Sequence, residues 1–333
     1  MTSPSTTSEP HADRVAALRD RIDDALPSLV EDRAPSSLYE SIHHVLQAGG
    51  KRVRPVVLLL TARAYGARVE RVLPAALAVE VFHNFTLVHD DLMDDDDERR
   101  GRPTVHVKWT EGTAILAGDL MLGLSYELLG QVEGTDSDAL YDVFHPMVRK
   151  LCAGQALDAA FESEDAVSVA AYLDMIDQKT GALLSAAFEL GGVIGGAPAP
   201  AQERLRAAGQ LVGRAFQIQD DLLDLTAQNE EWGRAVGGDL VRGKKTYLTL
   251  RALEQADGPE YDWFARLVTN EGLPPDDVPE ARDRMADLGV FEEARERVAS
   301  YTEQAHEHLQ TLPETPPAET LRWLLDHLKA RDY

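Results

Sequence analysis

Residues 73–94 read LPAALAVEVFHNFTLVHDDLMD. The stretch 72–93 predicts one long helix, and its end carries Asp90 and Asp94, four residues apart. On a helix that spacing puts both acids on one face. Like charges so placed repel, and they sit at the C-terminal end, where the macrodipole disfavours carboxylates. The arrangement costs stability and calls for a counter-charge. Oxygen ligands at this spacing suit a hard divalent cation, and magnesium usually completes its shell with water and substrate phosphate. The acids continue as Asp95-Asp96-Asp97-Glu98, so this segment taken alone also fits a solvated acidic loop.

Working outward, the pattern is helix after helix. Val15, Leu18, Ile22 and Leu26 recur at helical spacing over 11–30. Ser37 and Glu40 form a candidate capping box, and Gly49-Gly50 ends that helix. Pro55 reads as a first helical position. Further helices are expected near 112–131, 138–162, 168–192, 202–225, 245–256, 277–287, 290–311 and 317–330, with loops at 94–104, 193–201, 226–243 and 271–279. No stretch alternates for long like a half-buried strand, and there is no internal repeat. The expected architecture is all-α: one large bundle around a central cavity, spanning 11–333, after a polar tail at 1–10.

Composition narrows the function classes. The chain has 333 residues, 33 basic and 57 acidic, for a net charge of −24. A general electrostatic footprint for nucleic acid is excluded. Self-repulsion of this size suits a high-salt cytoplasm, because the Debye length falls to about 3 Å at 1 M salt. No uninterrupted apolar run reaches the roughly 18–20 residues of a membrane span, and the N-terminus lacks a signal-peptide pattern. The single cysteine, Cys152, excludes a disulfide framework or a cysteine-based zinc cluster and is expected to be a buried, inert thiol.

A second acidic segment repeats the first. Phe216-Gln217-Ile218-Gln219-Asp220-Asp221-Leu222-Leu223-Asp224 places Asp220 and Asp224 on one face of an apolar helix. Buried carboxylates without partners are expensive, so two such clusters suggest two walls of one polymetal site. Cations complete the set: Lys51, Arg52 and Arg54 in a Gly-Gly loop, Arg99-Arg100 after the first cluster, Lys179 before Thr180, and Lys244-Lys245 after the second cluster. Arg grips phosphate bidentately and Lys offers a point charge. Only seven residues of the chain are Lys, and four of them stand at these places.

These motifs carry a resemblance. GGKRVRP at 49–55, DDLMD at 90–94, RRGRPTVH at 99–106, GQALD at 154–158, KT at 179–180, FQIQDDLLD at 216–224 and GGDLVRGKKT at 237–246 are similar, in content and order, to those of the all-trans isoprenyl diphosphate synthases of the polyprenyl synthetase family. The likeness covers about 38–250 and is strongest to archaeal short-chain, geranylgeranyl-forming members. It implies a magnesium-dependent prenyltransferase, with roughly three ions per site, in which an allylic diphosphate (dimethylallyl, geranyl or farnesyl) ionises and isopentenyl diphosphate attacks the cation. By resemblance, Asp90, Asp94 and Asp220 are the principal metal ligands, with Asp91, Asp221 and Asp224 beside them. Lys51, Arg54, His83 and Arg100 bind isopentenyl diphosphate, while Arg99, Lys179 and Lys244 bind the allylic diphosphate. Thr180 and Gln217 lie near the cation, Gln155 and Asp158 line the cavity and order Lys179, and Asp239 supports the second cluster through water. A cytoplasmic homodimer is implied as well.

Arg234 and Tyr247 depart from the common pattern, which favours Lys and a small or leucine-like residue there. The run Asp95 to Glu98 exceeds what the motif needs and reads as halophilic decoration. A terpene cyclase would lack the second aspartate motif and the GGKRVRP loop. A noncatalytic regulatory subunit would have lost one aspartate motif. A ferritin-like carboxylate protein would need paired Glu-x-x-His motifs, and Glu40-Ser41-Ile42-His43 has no mate. For product length, Phe85 lies five residues before Asp90, about 7.5 Å along the axis, with Phe82 about one turn deeper and small Thr86 alongside. Phe85 as a floor suggests a C20 product. A farnesyl-forming enzyme is the alternative.

Overall fold

The structure, a computed structural model, describes residues 9–164, 166–227, 236–268 and 272–329. It is all-α, as the periodicity predicts. The helices are α1 Glu9–Ala25, α2 Ser36–Leu46, α3 Val53–Ala64, α4 Val69–Met93, α5 Val105–Lys108, α6 Glu111–Gly130, α7 Ser137–Ser163, α8 Val169–Ile176, α9 Ala182–Gly195, α10 Ala199–Thr226, α11 Gly238–Val241, α12 Tyr247–Gln255, α13 Pro259–Leu267, α14 Val278–Asp287, α15 Val290–Leu309 and α16 Pro316–Lys329. A π-helical turn, Asp177–Gly181, joins α8 to α9.

Packing divides the chain into two compact units, each assembled from three separate stretches. The first comprises Met1–Phe144, Ala186–Arg206 and Gln310–Leu324; the second comprises His145–Ser185, Ala207–Leu309 and Leu325–Tyr333. In the first unit, α3 is buried at every position from Pro55 to Ala62, the mark of a helix enclosed on all sides. It packs on α4, which also packs along α6. In the second unit, Ile218, Leu222 and Leu225 of α10 meet Tyr172, Met175 and Ile176 of α8 and Val298 and Tyr301 of α15 in one apolar cluster.

Several local expectations are corrected. The tail ends sooner: Pro10 already lies in α1, where proline early in a helix forfeits no hydrogen bond. Residues 1–8 of that tail and Arg234 lie outside the described residues. The Ser37–Glu40 capping box does not form, because α2 starts at Ser36 behind Pro35. Pro55 is the third residue of α3 rather than the first, still within the turn whose N–H groups lack helical partners. Cys152 is exposed, not buried. Helix α13 was not expected, although Pro259 at its first position and buried Phe264 and Leu267 specify it.

The loop after Asp94 holds a short antiparallel hairpin, β1 Glu98–Arg99 with β2 Arg102–Pro103, registered Arg99 opposite Arg102. Its two turn residues, Arg100 and Gly101, have φ of 54° and 69°, the backbone of the tight hairpin turn that matches strand twist.

By length and composition, Val69–Met93 and Glu111–Gly130 could each cross a bilayer; 61% and 39% of the respective apolar windows are buried inside the fold. The first behaves as a core helix. The second keeps an outward apolar face, with Ile115 47% and Leu116 58% exposed.

Candidate functional site

In the first unit the acidic end of α4 meets the basic loop before α3. The loop backbone is set by Gly49 (φ 73°), Gly50 (φ 145°) and Arg52 (φ 49°), and glycine adopts such values without steric cost. Arg52 turns inward. It donates to Asp23 at 2.7 Å, to Glu80 at 2.5 Å and to the Leu46 carbonyl at 2.9 Å, and it is almost fully buried. A buried cation needs such compensation on every donor. Its neighbours Lys51 and Arg54 face elsewhere. Arg54 donates to His83 Nε2 at 3.2 Å, so that nitrogen is an acceptor and the ring is neutral. Burial, then Arg54 and three further guanidinium groups, holds His83 well below its ordinary value.

The hairpin closes over this loop. Arg100 donates to the Gly49 carbonyl and Arg102 to the His44 carbonyl. Arg99 is hydrogen-bonded to Asp91 and lies 3.6 Å from Asp96. Burial pushes the Asp91 carboxyl up to about 6, against the pull of Arg99. Asp90 and Asp94 are less buried than Asp91. On the same helix, buried Phe82 and Phe85 meet edge to face at 5.2 Å, and Phe82 meets Phe144 at 5.2 Å. The Thr86 hydroxyl donates to the His83 carbonyl at 2.8 Å.

In the second unit Asp221 is the inward acid of α10. It accepts from the Tyr172 hydroxyl at 2.7 Å, the Tyr247 N–H at 3.0 Å and the Gln217 amide at 3.1 Å. Burial pushes its carboxyl up to about 7 against these donors. Burial and Asp221 together raise the Tyr172 phenol well above its ordinary value, so it remains the donor. Asp224 accepts from the Asp239 N–H at 3.3 Å. Lys179 donates to Asp158 at 2.6 Å, and Thr180 donates to Gln217 at 3.1 Å. Lys244 follows Gly243 (φ 68°). Lys245 turns inward to the Phe161 carbonyl at 2.7 Å. The atypical Tyr247 is buried, and its N–H supports Asp221.

Thus the structure brings Lys51, Arg54, His83, Arg99, Arg100, Asp90, Asp91 and Asp94 together in one unit. It gathers Asp158, Lys179, Thr180, Gln217, Asp221, Asp224 and Asp239 in the other. Gln155 lies one turn of α7 from Asp158. Sequence reasoning missed the anchors. Arg52 and Lys245 look like their neighbours Lys51 and Lys244 in the sequence, and nothing in a spacing marks Glu80 as the partner of Arg52 or Tyr172 as the support of Asp221. The candidate ligands are carboxylates, the oxygen donors that suit magnesium; among the described residues no three His, Cys, Asp or Glu side chains are already gathered into a metal site. Magnesium is usually held by one or two carboxylates, with substrate phosphate completing the shell.

Comparison with known proteins places the chain among relatives. Residues 35–285 match the polyprenyl synthetase family. A geranylgeranyl diphosphate synthase of Methanosarcina mazei is 39% identical over 324 residues, covering 96% of this chain and 98% of its own. A geranylfarnesyl diphosphate synthase of Natronomonas pharaonis is 36% identical, covering 98% of this chain and 100% of its own. A polyprenyl synthase of Caulobacter crescentus CB15, crystallised with calcium and isoprenyl diphosphate, superposes with a TM-score of 0.87 at 28% identity, covering 96% of this chain and 98% of that one. This chain therefore belongs to the polyprenyl synthetase family.

Proposed function

We propose that this chain condenses isopentenyl diphosphate with allylic diphosphates and releases geranylgeranyl diphosphate, C20, as its main product. The observation that carries the reading is the pairing of each acidic helix segment with cations and neutral donors already held in place. Such groups stabilise charge that develops on a departing diphosphate without reorganising at the moment of reaction. Arg99, Lys179 and Lys244 hold the allylic diphosphate, and Lys51, Arg54, His83 and Arg100 hold isopentenyl diphosphate. Thr180 and Gln217, hydrogen-bonded to each other, stand near the allylic cation, and Gln155 and Asp158 keep Lys179 in place. Magnesium, when bound by Asp90, Asp94 and Asp220 with Asp91, Asp221 and Asp224 beside them, supplies Lewis-acid stabilisation of the leaving group. Asp239 braces Asp224 through its backbone N–H.

Phe85 supports the C20 reading. It is buried, it meets Phe82 edge to face, and Thr86 next to it is small. Relatives of both kinds, geranylgeranyl and geranylfarnesyl diphosphate synthases, resemble this chain, and the residues on α4 support the shorter product. The outward apolar face of α6, with Ile115 and Leu116, supports a homodimer. The surplus of acids supports a high-salt cytoplasm. The interleaving of the two units supports a single domain over 11–333. Incubating the purified protein with isopentenyl diphosphate and each allylic primer in high-salt magnesium buffer tests the reading. The expected product is C20, lost on chelation. No magnesium-dependent prenyl product from any primer refutes the activity, and a C15 or C25 main product refutes the chain length.

A further inference from the structure

The helix from Val169 to Gly195 is interrupted by the π turn Asp177–Gly181, and that turn carries both Lys179 and Thr180. A π turn inserts about one extra residue into a helix and is rare outside functional sites. Relaxation to regular α-helix would rotate everything beyond it by about 100° per residue, the angle that 3.6 residues per turn imposes. Lys179 would then leave Asp158, or Thr180 would leave Gln217. Something must therefore hold the turn.

Glycines bring other backbones against it. A Cβ on Gly213 of α10 would lie 2.5 Å from Gly181 Cα. One on Gly209, a turn earlier, would lie 2.6 Å from Ser185 Cα. One on Gly154 of α7 would meet Gln178 C at 2.7 Å and Lys179 Cα at 2.8 Å. These contacts permit close approach but do not fix rotation. The directional contact is ionic. Arg214, next to Gly213, grips the first residue of the turn with both arms of its guanidinium: Nε donates to Asp177 Oδ1 at 2.6 Å and Nη2 to Oδ2 at 2.5 Å. The side chains are 25% and 11% exposed, and the guanidinium also lies 5.5 Å from the Tyr301 ring. Two parallel bonds from a planar fork set orientation as well as distance. Three residues along the same face of α10, Gln217 takes the Thr180 hydroxyl. The two ends of the turn are thus tied to one face of one helix.

We infer that Asp177 and Arg214 are positioning residues that lock the π turn and so aim Lys179 and Thr180 at the allylic substrate. The inference rests on the roles proposed above for those two residues. The pair itself touches no substrate. Its loss should misplace the turn by a fraction of a residue, and a misplacement of about 1 Å can cost about 100-fold in rate.

The test is steady-state kinetics for both substrates, with thermal unfolding, on Asp177→Asn, Arg214→Gln and the conservative Arg214→Lys. The expected result is a fall in kcat of about 10- to 100-fold and a raised KM for the allylic diphosphate. KM for isopentenyl diphosphate should stay within about twofold, with Arg214→Lys intermediate because it keeps the charge and loses the fork. An ion pair that only supported the fold would lower the unfolding temperature and disturb both substrates alike; that result overturns the inference, as does parental kinetics in all three variants. Lys179→Ala separates the two levels of reading. Parental kinetics there overturns the role of Lys179 and this inference with it. Impaired Lys179→Ala beside parental Asp177→Asn and Arg214→Gln overturns this inference alone.

Discussion

The two aspartate segments share a spacing and differ in how their buried acid is supported. Asp91 stands at the end of α4 and is held by a cation, Arg99. Asp221 stands inside the last turns of α10 and is held by neutral donors: a phenol, a peptide N–H and an amide. Burial raises both carboxyls, Asp91 to about 6 and Asp221 to about 7. One buried acid keeps a full counter-charge, and the other relies on dipoles. In each segment the middle aspartate is absorbed by the protein's own hydrogen bonds. Under the proposed function the principal metal ligands are its neighbours Asp90, Asp94 and Asp220. Two segments that look alike in sequence are expected to respond differently when cut.

The largest effect is expected where they should behave the same. Asp90→Ala and Asp220→Ala should each lose several orders of magnitude in turnover while circular dichroism stays helical, because each deletes an oxygen that charge stabilisation of the leaving group requires and relieves crowding of like charges. Near-parental turnover in both, with magnesium present, would break the assignment. Next in size is the separation of substrates. Lys51→Ala and Arg54→Ala should raise KM for isopentenyl diphosphate by about tenfold or more, whereas Lys244→Ala should act on the allylic substrate, since lost ground-state contacts appear in KM. The reverse pattern would exchange the two roles.

A smaller effect is predicted where the segments should differ. Asp91→Asn leaves Arg99 facing a neutral group and should cost about 1.5–3 kcal/mol, the range for hydrogen bonds to charged groups, nearer the lower end because Asp96 is also within reach of Arg99. Asp221→Asn keeps an acceptor for Tyr172 and Tyr247, and a flip of the Gln217 amide restores the third bond, so its cost should stay within about 1 kcal/mol. Equal losses in urea unfolding would erase the distinction. The pH dependence follows with its sign. Both acids are raised above the ordinary carboxylate value, so the native state holds their protons longer than the unfolded chain does. The contribution of these two acids to the stability of the metal-free protein should be fully present below about pH 4 and be lost as pH climbs through about 6 and then about 7. Asp91→Asn should flatten the lower part of that fall and Asp221→Asn the upper part.

The smallest and most specific effect is on product length. Phe85→Ala should shift products beyond C20, while fully buried Phe82, wedged between Phe85 and Phe144, should add to the shift mainly at a stability cost of about 3–5 kcal/mol. An unchanged product distribution in folded Phe85→Ala would reduce the ring to packing.

The sequence announced the helices, both acidic segments and the cation positions, because apolar periodicity and charge spacing are properties of one stretch at a time. It could not announce which of two adjacent cations turns inward. Arg52 and Lys245 are distinguished from Lys51 and Lys244 only by partners far away in the chain, Glu80 and Asp23 for one and the Phe161 carbonyl for the other. The hairpin at 98–103 was illegible for a related reason: with two residues per strand it has no alternation to read, and only Gly101 hints at the turn. The π turn left no trace either, since Asp177 to Gly181 carry ordinary helical spacing and the groups packed on the turn, Arg214 and the glycines of α7 and α10, lie elsewhere in the chain. Cys152 misled because only Leu151 beside it is buried, while Cys152 and Ala153 both face out.

The most direct test of the central claim is calorimetric titration of a non-ionisable allylic diphosphate analogue into the parent protein, Asp90→Asn and Asp220→Asn, with magnesium and with EDTA. Magnesium is expected to tighten binding to the parent by at least about 100-fold, about 2.8 kcal/mol at 1.4 kcal/mol per tenfold step, and each variant to lose most of this increment while keeping the weak, metal-independent binding its cations provide. Equal affinity of the parent with and without magnesium, or an undiminished increment in both variants, would contradict it.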